Sequence, residues 1–128
     1  VSKHNVNRQL ETDPTGKRRK VTHRTSSVTL KPAQTGGIFT NLSATGTITY
    51  SLPAGARTGD TYEFHVRTAQ ELRVDVEDAT HQIIQTGIAP AAGDYVTANA
   101  AGESATMTYH GSGIWMASNI SGTWTAEA

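Results

Sequence analysis

The sequence predicts an all-β protein, an antiparallel β-sandwich or jelly roll with an extended basic N-terminal arm. Three observations predict it. Apolar residues recur at every second position through the middle of the chain, the period of a half-buried strand. Gly-containing turn signals separate these runs at short intervals. Twenty Thr and twelve Gly favour strands and tight turns, and no window carries a long amphipathic helix.

Residues 1–25 are expected to form the arm and residues 26–128 the β domain. From Val1 to about Lys20 neither a strand nor a helix period is present, and the apolar residues are Val1, Val6 and Leu10. Such a segment buries too little surface to offset the entropy of ordering it alone, so it is expected to become ordered only against a partner. Lys17-Arg18-Arg19-Lys20 leads into a possible strand from Val21 to Leu30.

Beyond the arm the alternation is clear. Ile48, Tyr50 and Leu52 share one face, opposite Thr47, Thr49 and Ser51. Tyr62, Phe64 and Val66 alternate with Glu63, His65 and Arg67, and Leu72, Val74 and Val76 with Arg73, Asp75 and Glu77. These last two runs read as an antiparallel hairpin candidate, although Ala69-Gln70-Glu71 is not a tight primed turn. Weaker strands are expected at 82–86, 94–98, 104–109, 114–120 and 123–126, with 88–93 a loop. No internal repeat argues for a solenoid.

Charge is divided by position. Residues 1–31 hold eight Lys and Arg against Glu11 and Asp13, a net of +6, while residues 32–128 net −6 and contain no Lys. An arm of one sign on a body of the other points to an arm that engages something. Nucleic acid is a poor fit, because the body lacks clustered cations and the basic run lacks interleaved aromatics for stacking. Nothing approaches a membrane-spanning apolar stretch. There is no Cys, hence no disulfide and no thiolate metal site.

The sequence carries no recognisable catalytic or metal-binding motif. His4, His23, His65, His81 and His110 form no metal-ligand spacing. Asp75, Glu77 and Asp78 do not match a calcium loop and read as a solvated strand face. Gly111-Ser112-Gly113 reads as a hairpin turn rather than a catalytic serine motif. Asn41-Leu42-Ser43 and Asn119-Ile120-Ser121 match the glycosylation sequon, which matters only in a secretory compartment. The expectation is a protein without catalytic residues, metal or cofactor, whose contacts are Lys17, Arg18, Arg19, Lys20 and Arg24.

The stretch TGTITYSLPAGARTGDTYEF from Thr45, and AAGDYVTANAAGESATMTYHGSGIWMASNISGTWT from Ala91 to Thr125, resemble small virion proteins of tailed bacteriophages. Head-decoration (cement) proteins and modules of tail fibres and tailspikes carry comparable text. The resemblance spans about residues 26–125 and excludes the basic leader. It implies a structural virion protein on the outer capsid surface, made in the host cytoplasm, that bridges capsomers. Its implied partners are the major capsid protein and its own copies, as a dimer or trimer. The alternative is a receptor- or carbohydrate-binding module of a tail fibre or tailspike.

Overall fold

The structure, a computed structural model, describes residues 18–127. It is a sandwich of two sheets. In chain order the strands are β1 (Val21–His23), β2 (Val28–Thr29), β3 (Ile38–Thr40), β4 (Ile48–Leu52), β5 (Thr61–His65), β6 (Leu72–Val76), β7 (Gln82–Ile84), β8 (Val96–Ala98), β9 (Ser104–Gly111), β10 (Ile114–Ser121) and β11 (Thr125–Ala126). One sheet has the order β1-β3-β5-β9-β10-β7 and the other β11-β8-β6-β4-β2.

Successive strands alternate between the sheets as far as β9. The alternation makes β1, β3 and β5 parallel neighbours in one sheet, and β2, β4 and β6 parallel neighbours in the other. The chain thus winds through three parallel coils that no sequence repeat announces. From β8 onward the pairing is antiparallel, apart from β7 beside β10. The sheets are therefore mixed rather than antiparallel throughout.

The expected hairpin of residues 61–68 with 72–76 does not form. β5 and β6 lie in opposite sheets, and the connection between them is an arch across the sandwich. Asn41 holds that arch. Its buried amide donates to the carbonyls of Thr68 and Gln70, and its Oδ1 accepts from the N–H groups of Arg67 and Thr68, all at 2.8–3.1 Å. An arch lets Phe64 and Leu72 bury toward each other from facing sheets, whereas a hairpin would set them side by side. Likewise, the run Val21–Leu30 breaks into β1 and β2 at Arg24–Ser27 and crosses between sheets.

The core follows the alternation. Tyr50, Leu52, Tyr62, Phe64, Leu72 and Val74 are each 0% exposed. Phe39, Tyr50 and Phe64 meet at centroid distances of 5.5–5.8 Å, and Trp115 contacts Tyr62 and Tyr109. Burying such side chains is worth roughly 1.5–3 kcal/mol each. The buried hydroxyl of Tyr50 donates to the Thr40 carbonyl at 2.7 Å, and burial pushes its pKa far above the ordinary phenol. Tyr62 donates to the Lys31 carbonyl and is pushed up to about 12, chiefly by burial.

Candidate partner-binding surface

The basic segment enters the sandwich at one edge of the six-stranded sheet. Residues 21–25, expected in the arm, begin with β1, which adds to β3 in parallel register. Alternate residues of a parallel strand bond to a given neighbour. The Lys20 carbonyl accepts from Ile38 N–H, and Arg24 N–H donates to the Thr40 carbonyl. The backbone groups of Val21 and His23 accordingly point away from β3, to a side on which no described strand pairs with them. Val21 is 48% exposed.

Beside this edge lies a groove of about 610 Å³, lined by Arg18, Lys20, Thr22, Gln34, Gly37 and Phe39 among others. Its far wall is the short 3-10 turn Pro32–Gln34 and the Gly36-Gly37 pair that turns the chain into β3. Gly37 is required there, because a Cβ would stand 2.8 Å from the Phe39 ring and 3.1 Å from the Gln34 carbonyl.

Arg19 clamps the base of the segment. Its guanidinium donates to the carbonyls of Gly36 (2.7 Å) and Gly37 (3.4 Å) and to the Glu63 carboxylate (2.7 Å). Glu63 also pairs with His65. Burial alone would raise the Glu63 pKa, but hydrogen bonds and charge from Arg19 and His65 outweigh it and hold the carboxyl below its ordinary value. Arg19 is therefore an anchor that orients its neighbours.

The five expected contacts divide accordingly. Arg18 and Lys20 line the groove, Arg19 is the clamp, and Lys17 lies outside the described residues. Arg24 sits beyond the end of β1, where it donates to the carbonyl and hydroxyl of Ser26 at 3.0 Å. The groove's opposite wall escapes a reading of the sequence. Its one textual signal is Gly36-Gly37 directly before Ile38.

The acidic surface lies elsewhere, on and beside the five-stranded sheet. Asp75 of β6 has a raised pKa, first because it is partly buried and further because Glu127 and Asp94 are near. Arg73 stacks over Tyr95 at 4.4 Å and pairs with Glu71. Asp75, Glu77 and Asp78 do not converge on a shared cation. Glu77 accepts from Ala54 N–H, and Asp78 accepts from both the N–H and the hydroxyl of Thr80.

Other singled-out residues are absorbed by the fold. His81 is buried, stacks on Tyr109 and accepts from Trp115 Nε1–H through Nδ1 at 3.2 Å. Gly111, Ser112 and Gly113 all have positive φ and turn β9 into β10. Asn41 is 0% exposed, so the first sequon is a structural element. Among the described residues no group of three or more His, Cys, Asp and Glu is placed to hold a metal ion. No described helix is long and apolar enough to cross a membrane. Compared with protein-family models and with curated proteins, the chain finds no match.

Proposed function

We propose that this chain is a structural, non-enzymatic virion protein that binds the outer surface of a tailed-phage icosahedral head and stabilises it by bridging capsomers. The observation that carries the reading is the basic groove beside the β1 edge, built where the cationic segment Arg18, Arg19 and Lys20 enters an otherwise acidic body. A rigid sandwich supplies a fixed platform, and the cationic segment supplies attraction to an acidic shell. Many such contacts, each weak, multiply effective affinity when the copies are linked. The likeness of residues 45–64 and 91–125 to phage virion proteins supports the same class.

Co-sedimentation with intact phage heads tests this reading. The full chain should bind heads, and the double variant Arg18→Glu, Lys20→Glu, which leaves β1 and Arg19 in place, should weaken binding. Binding should also weaken with salt, since exposed charges are screened beyond about 8 Å at physiological ionic strength. Attachment to host cells without attachment to heads would instead favour the tail-fibre or tailspike module.

A further inference from the structure

We infer that the β1 edge accepts an added strand from its partner, and that this strand is an extended acidic segment with apolar residues at alternate positions. The inference rests on the proposed function only for the choice of surface. Three observations carry it.

The first is backbone geometry. β1 closes the six-stranded sheet, and the N–H and C=O groups of Val21 and His23 face away from β3. They offer a short template for a further strand.

The second is the difference between the two faces that such a strand would meet. Thr22 pairs in register with Phe39, on the face of β3 that is turned to the core. Alternation puts Lys20 on that same side, and both residues line the groove together with Arg18. Val21 lies on the other face in register with Ile38. Successive side chains of an incoming strand would therefore meet Lys20 and Arg18 on one face and Val21 with Ile38 on the other, where Glu63 lies one strand further in.

The third is charge complementarity, which among the described residues disfavours a second copy. Pairing β1 with another β1 would bring two sets of Arg18, Lys20 and Arg24 together. The remaining edge strands, β2, β7 and β11, contain no Asp or Glu. The acidic residues Glu63 and Asp75 are on β5 and β6, which have neighbours on both sides. Among the described residues no edge strand supplies the complement, so we assign it to a different protein.

The test uses the full isotope-labelled chain and a blocked heptapeptide of alternating Glu and Val as probe. Two further probes are the same peptide N-methylated at every backbone amide, which cannot complete a ladder in either orientation, and a single-stranded oligodeoxynucleotide. The expected result is selective slowing of amide exchange at Val21 and His23 on adding the first peptide. Affinity should drop about tenfold or more on N-methylation of the peptide or in the double variant Arg18→Glu, Lys20→Glu. N-methylation leaves the protein untouched, so a misfolded variant cannot obscure the outcome. Equal binding of the N-methylated peptide, tighter binding of the oligonucleotide, protection elsewhere, or no binding would each overturn the inference. Head binding measured in parallel reports on the proposed function separately: heads bound without peptide binding would defeat this inference alone.

Discussion

Glu103 and Gly122 are fitted to each other. A Cβ on Gly122, whose φ is +82°, would stand 2.6 Å from Glu103 Oε2 and closer still to its Cγ. That carboxylate cannot easily move aside. Its Oε1 accepts from the N–H groups of Asn99 and Ala100 and its Oε2 from Thr123 N–H. Next to it, Trp124 Nε1–H donates to the Ser104 carbonyl. One side chain thus ties the turn before β9 to the segment entering β11.

Gly122→Ala should accordingly destabilise the fold by more than about 1 kcal/mol, through both its positive φ and the displaced carboxylate. Glu103→Ala should cost about 1–2 kcal/mol for the lost hydrogen bonds to a charged acceptor. In the double variant the cost of Gly122→Ala should shrink, because the atoms it displaces are gone. Urea denaturation of the four proteins measures this coupling directly, and strictly additive losses would mean that the two residues act independently.

Phe64→Ala should be more damaging than either of these, at roughly 3–5 kcal/mol, since the ring is fully enclosed by Phe39 and Tyr50. A loss below about 1 kcal/mol would show that the sandwich closes over the gap. Thermal and urea melts of the same variant provide the check.

These core positions are legible in the sequence because alternation is local: Tyr62, Phe64, Leu72 and Val74 declare their buried face within five residues. Features that depend on distant residues are not. The arch from β5 to β6 relies on Asn41, some 26 positions earlier, and nothing around Asn41-Leu42-Ser43 distinguishes a buried brace from an exposed sequon. β3 is three residues long, too short to show a period, so the parallel winding that it makes possible is invisible in the text. The cationic run is visible as charge. That Arg19 is committed to Glu63 and the Gly36 carbonyl, while Lys20 lines a groove, is a property of the folded edge alone.

Acid should act on identifiable groups. Glu63 is held low by Arg19 and His65 against the effect of burial, and Glu103 by the N–H groups of Thr123, Ala100 and Asn99. A folded-state pKa below the unfolded one adds stability at neutral pH, and that stability is lost as pH falls through the folded value. Melting temperature should therefore decline on going below the ordinary glutamate range. Glu63→Gln should flatten that decline, a difference read from melts at successive pH values.

Asp75 has the opposite sign. Its raised pKa means that its charged form costs stability once pH exceeds the folded value, and the cost disappears below the unfolded value. Asp75→Asn retains an oxygen for Val76 N–H and removes the charge beside Glu127 and Asp94. It should raise the melting temperature at pH 7, and the gain should vanish in acid. An unchanged or lowered melting temperature at pH 7 would count against a cost from burying the Asp75 charge beside Glu127 and Asp94.

The central claim is that the β1 edge and its basic groove dock on a virion shell, and an image reconstruction of intact phage particles carrying the protein tests it most directly. The expected result is density for the sandwich on the outside of the head, bridging capsomers, with Arg18, Lys20 and Val21 turned toward the shell. Density confined to the tail fibres, or a head-bound sandwich with the β1 edge facing solvent, would contradict it.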